Sequence, residues 1–220
     1  MSNRTIPVVD LSTFVNGNET ERQAFVDKLG KAFHEVGFVG VVNHGVPKEL
    51  VENFYKASKD FFSLPVSQKR QFKIEGLAGQ RGYTSFGTEH AKQSQVADLK
   101  EFFQVGQFVA PDHPLKEQYP DNVNVTAVDN FNQLSKDLYK AFESSGGHLL
   151  RAIALHLNLD ENFFDGQIKD GNSILRTIHY PPITEEPRSA IRAEQHEDIN
   201  LITLLAVSYT HLTLPTKRIV

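Results

Sequence analysis

Several residue types and sequence features are missing from this chain, and each absence excludes a class of protein. The 220 residues contain no cysteine, which excludes a disulfide framework, a zinc ribbon, a thiol nucleophile and an iron–sulfur cluster. No apolar run is long enough to cross a bilayer, and no signal-peptide core follows the first methionine. Any metal must therefore be bound by histidine, aspartate or glutamate. We expect a cytoplasmic, reducing setting and no membrane partner.

A block of basic residues is also missing. The formal net charge is -4 with a sequence pI near 6.1, and no cluster of lysine or arginine forms the positive patch that a phosphate backbone needs. We therefore expect no nucleic-acid partner. The chain is 40% hydrophobic and 23% charged, which is enough apolar material for one sizeable core or two small ones.

Apolar spacing predicts alternating strands and helices in the first third of the chain. We expect an edge strand at 6–11, a helix at 19–36 that ends at Gly37, a buried strand at 38–42 and a helix at 48–62. The pair Leu64-Pro65 should break this second helix because proline cannot continue the hydrogen-bond ladder.

The rest of the chain is less regular. Its predicted segments are a glycine-rich loop region without a long helix at 76–106, a connector at 109–124, a long helix at 128–157, and strands at 173–180 and 201–207. Glycines 146 and 147 should weaken the long helix. Pro181-Pro182 should end the first of the two strands.

The sharpest chemical pattern is His196-Glu197-Asp198. In an extended segment, side chains two residues apart project from the same face, so His196 and Asp198 can meet one ion. An imidazole and a carboxylate are two of the three protein ligands in the facial triad of non-haem Fe(II) oxygenases. A lone His-X-Asp is weak evidence, and a solvated loop is the alternative interpretation.

Longer motifs strengthen this interpretation. Residues 5–207 resemble the isopenicillin N synthase-like branch of the Fe(II)/2-oxoglutarate-dependent dioxygenases. The segments that carry the resemblance are Ile6-Pro7-Val8-Val9-Asp10-Leu11, Gly37-Phe38-Val39-Gly40-Val41-Val42-Asn43-His44-Gly45-Val46, Gly82-Tyr83, Asp98-Leu99-Lys100-Glu101-Phe102-Phe103 and Leu175-Arg176-Thr177-Ile178-His179-Tyr180-Pro181-Pro182.

The resemblance implies an α+β fold in which an N-terminal α/β region and a helical segment lead into a double-stranded β-helix, or jelly roll. It also implies that His196 and Asp198 bind Fe(II) and that Tyr180 hydrogen-bonds a carboxylate of the cosubstrate 2-oxoglutarate, with dioxygen as the oxidant. The regions expected are an N-terminal dioxygenase region at 1–110, a connector and long helix at 111–172, and the start of the jelly roll at 173–207.

Other polar residues near these motifs have two interpretations each. Arg176 and Arg192 could pair with an anionic substrate through two-pronged hydrogen bonds, or could form ordinary surface ion pairs. Asn200 and Thr203 could support the metal loop as hydrogen-bond donors, although strand surfaces carry such residues routinely. His179 should face the side of the sheet opposite Tyr180.

The chain departs from the family pattern near Val207. The family needs a second histidine and an Arg-X-Ser several tens of residues after the His-X-Asp, and His211 follows too closely to replace that histidine. Residues 207–216 resemble a peptide that arises when sequencing-adapter bases are translated. We therefore expect 208–220 to be a foreign tail, with the jelly roll truncated after its first strands and the chain poorly soluble, weak in iron binding and inactive by itself.

For the parent protein, the resemblance implies a bacterial oxygenase that oxidises a small organic substrate and releases succinate and CO2. Two alternatives stay open. One is an iron oxidase of the isopenicillin N synthase type that uses no 2-oxoglutarate, and the other is a non-catalytic jelly-roll binding protein. The sequence identifies neither the primary substrate nor the oligomeric state.

Overall fold

The computed structural model describes residues 5–77, 79–89, 98–183, 192, 198 and 200–206. The chain divides into two compact units, one formed by Met1–Leu50 with Asp137–Ser173 and the other by Val51–Lys136 with Ile174–Val220. These units are defined by spatial proximity and do not test the regions expected from the sequence at 1–110, 111–172 and 173–207. Those regions stay a prediction. The proposed tail at 208–220 lies outside the described residues, as does His196.

The elements follow one another in a mixed α/β order. Strands are β1 (Val8–Asp10), β2 (Gly40–Val42), β3 (Gly82–Thr84), β4 (Glu101–Gly106) and β5 (Ile174–His179), and helices are α1 (Leu11–Val15), α2 (Glu19–Glu35), α3 (Lys48–Phe62), α4 (Val66–Lys69), α5 (Phe131–His156) and α6 (Asp165–Ile168). Short 3-10 turns lie at Arg70–Phe72 and Lys116–Gln118. Among the described residues, no helix is both long enough and apolar enough to cross a membrane.

In the first unit, local hydrogen bonds set the start of α2, and a glycine follows its end. The side chain of Asn18 accepts a hydrogen bond from the backbone of Glu21, and Glu21 accepts one from the backbone of Asn18, which satisfies donors at the helix start. Gly37 follows the helix with a φ of +79°, a conformation that glycine adopts without strain. The predicted helix at 19–36 is thereby confirmed to within one residue.

The strands of the first unit are shorter than predicted. β1 pairs in parallel with β2, with Val8 opposite Gly40 and Asp10 opposite Val42. Asp10 ends the predicted strand early because its side chain accepts the backbone N–H of Ser12 and caps α1. The strand predicted at 38–42 is present as β2, but the prediction that it is buried is wrong, since Val42 is 45% exposed.

The core of the second unit lies between helices and one face of a three-stranded antiparallel sheet. The strand order is β3-β4-β5. Phe61 of α3 is fully buried and packs against Tyr83, Phe103 and Phe131, with ring centroids 5.1–5.9 Å apart. Each buried aromatic side chain contributes about 1.5–3 kcal/mol through removal of apolar surface from water. The aromatic cluster therefore fixes the sheet against α3.

Two expectations from the sequence need correction. The loop region at 76–106 contains two strands, β3 and β4, although its described residues include no long helix. The described residues 201–206 form no strand, because strand structure requires a hydrogen-bonded neighbour and none pairs with them there. The predicted long helix at 128–157 is present as α5, which continues through Gly146 and Gly147, and the weakening expected at these glycines stays a prediction.

Candidate functional site

Strand β5 presents two different faces of the sheet. It pairs with β4 so that His179 lies opposite Glu101, Thr177 opposite Phe103 and Arg176 opposite Gln104. Because successive side chains on a strand alternate, His179 and Thr177 share the face that carries Phe103 and packs on the aromatic core, called here the core face. Arg176 and the residue after the strand, Tyr180, lie on the opposite face, called here the open face.

Four charged side chains surround Tyr180 on the open face. Lys100 Nζ lies 2.7 Å from a carboxylate oxygen of Glu89 and 3.0 Å from one of Asp98. Arg176 donates to Glu89 at 3.3 Å, and its guanidinium carbon lies 4.4 Å from the centroid of the Phe102 ring. The two acids, Glu89 and Asp98, and the two bases, Lys100 and Arg176, together have a formal charge of zero.

The surroundings of Tyr180 keep its hydroxyl protonated. Burial raises the pKa of Tyr180, the negative charges of Asp98 and Glu89 raise it further, and the positive charges of Lys100 and Arg176 oppose them. The net shift is upward. A neutral phenol can donate its proton to a carboxylate, which is the hydrogen bond expected between Tyr180 and 2-oxoglutarate.

Arg192 also lies beside Tyr180. Its guanidinium carbon is 5.9 Å from the centroid of the tyrosine ring, and its terminal nitrogen donates to the carbonyl of Pro181. The structure thus brings Tyr180, Arg176 and Arg192 into one neighbourhood. Arg176 is already paired with Glu89, which fits the ion-pair interpretation, whereas an anionic ligand would have to compete with that acid.

Asp198 is held by a short relay of side chains. The hydroxyl of Thr203 donates to Asp198 Oδ2 at 2.7 Å, and the amide of Asn200 donates to Thr203 Oγ1 at 3.1 Å. A donor behind a carboxylate orients it for metal binding, which is the role expected of Thr203 and Asn200. The sequence prediction pairs the carboxylate of Asp198 with the imidazole of His196, and an imidazole with a carboxylate is a combination of ligands that suits Fe(II).

The geometry of the predicted metal pair lies partly outside the described residues, because His196 is among those not described. Within the described part of the chain, no group of three or more histidine, aspartate and glutamate side chains is arranged to hold a metal ion. The assignment of His196 and Asp198 as iron ligands therefore stays a prediction.

A polar cluster on the core face was not predicted from the sequence. Glu101 is 4% exposed and accepts hydrogen bonds from Lys69 at 2.7 and 2.9 Å and from Tyr83 at 2.5 Å. His179 Nδ1 lies 2.8 Å from the same carboxylate. These residues, Glu101, Lys69, Tyr83 and His179, are called here the Glu101 cluster. A signal for this cluster in the sequence is the acidic residue Glu101 directly before the apolar pair Phe102-Phe103, since acids are rarely buried without a partner.

The charge state of the Glu101 cluster follows from its contacts. Burial would raise the pKa of Glu101, but hydrogen bonds from Lys69, Tyr83 and His179 together outweigh burial and lower it. Burial, the hydrogen bond to Glu101 and the charge of Glu101 all raise the pKa of Tyr83 well above its ordinary value. At neutral pH the cluster therefore holds a carboxylate, an ammonium and a neutral phenol.

The first unit contains a cleft of about 270 Å³. Ser12, Asn43, His44, Ser145 and His148 are among its lining residues. The Nδ1 atom of His44 accepts the backbone N–H of Val46 at 3.1 Å, so this nitrogen is engaged in a local turn. Of the predicted site residues that the structure describes, none lines this cleft.

Comparison with known proteins identifies the family. Residues 6–127 match the family model described as the N-terminal region of non-haem dioxygenases in morphine synthesis. The chain belongs to the non-haem Fe(II)/2-oxoglutarate-dependent dioxygenase family. It is 30% identical over 220 residues to the 2-oxoglutarate-dependent dioxygenase ecdK of Aspergillus rugulosus, a match that covers 92% of this chain and 65% of the relative.

Solved structures of dioxygenases have a similar fold. A 2OG-Fe(II) oxygenase family protein from Caulobacter crescentus superposes with a TM-score of 0.72 at 34% identity, over 83% of this chain and 58% of that protein. A Neurospora crassa protein in complex with alpha-KG and thymine superposes with a TM-score of 0.67 at 26% identity, over 82% of this chain and 56% of that one. The chain thus spans less than two thirds of the length of these family members.

Proposed function

We propose that the protein to which this chain belongs is an Fe(II)- and 2-oxoglutarate-dependent oxygenase that oxidises a small organic substrate and releases succinate and CO2. The family match over residues 6–127 carries the proposal. Several relatives are described as 2-oxoglutarate-Fe(II) type oxidoreductases, among them hxnY of Emericella nidulans at 27% identity. A small-molecule substrate is supported by the thymine bound to the related Neurospora protein.

The residues of this chain have distinct roles in the proposal. His196 and Asp198 would hold Fe(II), which supplies activation of dioxygen when bound. Thr203 keeps the Asp198 carboxylate oriented through its 2.7 Å hydrogen bond. Tyr180 donates to a carboxylate of 2-oxoglutarate. A jelly roll that begins near residue 173 would contribute the remaining ligands.

Metal and cosubstrate titrations of the full-length gene product test this proposal. Wild-type protein should bind Mn(II), a redox-stable stand-in for Fe(II), in anaerobic calorimetry, and Asp198→Ala should abolish the binding. Asp112→Ala makes the same substitution at an exposed loop position and should leave metal binding unchanged. Equal Mn(II) affinity in wild-type and Asp198→Ala protein would refute the metal assignment.

The tyrosine assignment has its own matched pair of variants. Tyr180→Phe should weaken 2-oxoglutarate binding by roughly 10–100-fold, because a hydrogen bond to a charged group contributes about 1.5–3 kcal/mol. Tyr139→Phe also removes a hydroxyl, one that donates to the carbonyl of Ser173 within the first unit, and should not change this affinity. An unchanged affinity in Tyr180→Phe would refute the role of Tyr180.

Succinate release separates the proposal from its alternatives. An iron oxidase of the isopenicillin N synthase type should consume dioxygen with substrate but form no succinate, and a non-catalytic binding protein should show no tight metal site. A screen of carboxylate and neutral substrates, read out as succinate, would define the substrate class. If Arg176 and Arg192 receive an anionic group, Arg176→Met and Arg192→Met should each raise KM for carboxylates but not for neutral substrates.

A further inference from the structure

We propose that His179 is a positioning residue: bound to Glu101 on the core face of β5, it fixes the strand end from which Tyr180 reaches the cosubstrate. The inference deepens the proposed function and rests on it. Its basis is the Glu101 cluster, which lies within the second unit and joins the ends of α3, α4, β3, β4 and β5.

Glu101 is an immobile acceptor for the imidazole. Its side chain is 6% exposed, and both of its oxygens receive Lys69 Nζ while one also receives the hydroxyl of Tyr83. An ionised carboxylate accepts hydrogen bonds and donates none. The 2.8 Å contact to His179 therefore requires the proton to be on Nδ1 of the imidazole, which assigns the Nδ1–H tautomer to neutral His179.

The ring of His179 is held from a second direction by α3. It stacks on Phe62, with ring centroids 5.1 Å apart and planes inclined by 24°. Lys69 Nζ donates to the carbonyl of Phe62 at 2.9 Å, so the ammonium that fixes Glu101 also fixes the residue on which the imidazole stacks. The hydrogen bond to Glu101 thus fixes the rotation of the His179 ring, and the stacking contact fixes its position against Phe62.

The contacts of His179 with Glu101 and Phe62 position Tyr180 through the backbone. His179 is the last residue of β5, and Tyr180 follows it with its side chain on the open face. Beyond His179 the chain continues into Pro181-Pro182, which have no N–H for a sheet hydrogen bond. The anchored imidazole therefore restrains the end of the strand, and a displacement of about 1 Å at a binding group is enough to weaken function markedly.

Three substitutions at position 179 separate positioning from packing. His179→Phe keeps a ring on Phe62 but removes the donor to Glu101, and His179→Gln places an amide near the position of Nε2 instead. His179→Asn places an N–H near the position of Nδ1 and should restore the bond. Thr177→Val, two residues earlier on the core face, is the control for a change in the same strand.

The measurement is the affinity of the Mn(II)-loaded full-length gene product for 2-oxoglutarate by calorimetry, with KM and kcat for the cosubstrate as a second readout. We expect His179→Phe and His179→Gln to bind 2-oxoglutarate about tenfold more weakly, a loss of about 1.4 kcal/mol. His179→Asn should recover most of this affinity, and Thr177→Val should match wild-type protein. The change should be larger in KM than in kcat. If His179→Phe does not fold, the contrast between the Asn and Gln variants decides the question.

A nitrogen NMR spectrum of the metal-free wild-type protein tests the anchor without any cosubstrate. It should show His179 protonated at Nδ1. Protonation at Nε2 alone, or wild-type 2-oxoglutarate affinity in both the Phe and Gln variants, would overturn the positioning role while leaving the proposed function intact. Wild-type protein that binds Mn(II) but no 2-oxoglutarate would overturn the proposed function, and the positioning role with it.

Discussion

Replacement of Lys69 by methionine should destabilise the full-length gene product by about 3–5 kcal/mol at neutral pH, the cost typical of breaking a buried ion pair from one side. Lys69 and Glu101 are each only 6% exposed in their side chains, and their closest charged atoms are 2.7 Å apart. Methionine retains most of the apolar volume of lysine. The loss therefore measures the uncompensated Glu101 carboxylate, with a smaller contribution from the lost hydrogen bond to the Phe62 carbonyl, rather than a cavity.

The pH dependence of this loss has a definite sign. In the wild-type protein the folded-state pKa of Glu101 is lowered, so its contribution to stability is present above the unfolded-state pKa and is lost as the pH falls through the folded-state value. Without Lys69, burial should raise the folded-state pKa of Glu101 above the unfolded one. The carboxylate then destabilises the protein at neutral pH, and protonation relieves that penalty. The difference between wild-type and Lys69→Met protein should thus shrink as the pH falls towards and below the ordinary carboxyl pKa.

Urea unfolding at neutral and acidic pH checks this prediction. Lys73→Met is the control, because Lys73 pairs with Glu75 at the surface, where both side chains are at least 42% exposed, and an exposed pair contributes only about 0–1 kcal/mol. The double variant Lys69→Met/Glu101→Gln should be more stable than the sum of its single effects predicts, by about 1 kcal/mol or more. A Lys69→Met cost no larger than that of Lys73→Met, or additive single effects, would refute the reasoning.

Three further predictions concern packing, the metal loop and the isolated chain. Gly30→Ala should lower the free energy of unfolding by about 1–3 kcal/mol, because its Cβ would lie 2.2 Å from the His156 ring. Gly147→Ala should raise it by about 0.5–1 kcal/mol, because the added Cβ would have its nearest neighbour 3.8 Å away. Equal thermal midpoints for the two variants would contradict both expectations. Thr203→Val should lower Mn(II) affinity by about 10–100-fold through loss of the donor to Asp198, and unchanged binding in calorimetry would contradict that role. The 220-residue chain expressed alone should aggregate in size-exclusion chromatography, because β3 and β5 each have only one paired edge among the described residues, and it should release no succinate. A monomeric, sharply melting product or substrate-dependent turnover would contradict this.

The helices could be predicted from the sequence because their determinants are local. The apolar spacing at 48–62 predicts the bounds of α3, Lys48–Phe62, without error. For α2, Asn18 and Glu21 cap the start and Gly37 ends the helix, and all three signals lie within a few residues of the element that they define. Local signals of this kind do not depend on the rest of the fold.

The strands β1, β2 and β5 lie within segments predicted as strands, whereas β3, β4 and the Glu101 cluster could not be predicted, because they depend on residues far apart in the chain. β3 is only three residues long and begins at Gly82, and its partner β4 begins at a charged residue, Glu101. Lys69 lies 32 positions before Glu101 and His179 lies 78 positions after it, so no sequence window contains the cluster. The apolar run at 201–207 predicts a strand, but its described residues 201–206 pair with no neighbouring strand among the described residues, since an apolar run does not specify a pairing partner.

The two faces of β5 should separate effects on binding from effects on stability. Arg176 lies on the open face with a side chain 35% exposed and paired with Glu89, so Arg176→Met should change the free energy of unfolding by less than about 1 kcal/mol while altering the affinity for an anionic ligand. Phe103 lies on the core face at 1% exposure, so Phe103→Ala should cost about 3–5 kcal/mol while leaving the ligand preference of the remaining folded protein unchanged. Parallel measurement of the urea midpoint and of substrate KM would test both. If Arg176→Met destabilised the protein as much as Phe103→Ala, the open face would be part of the core, and the neighbourhood of Tyr180 would be a packing feature rather than a binding site.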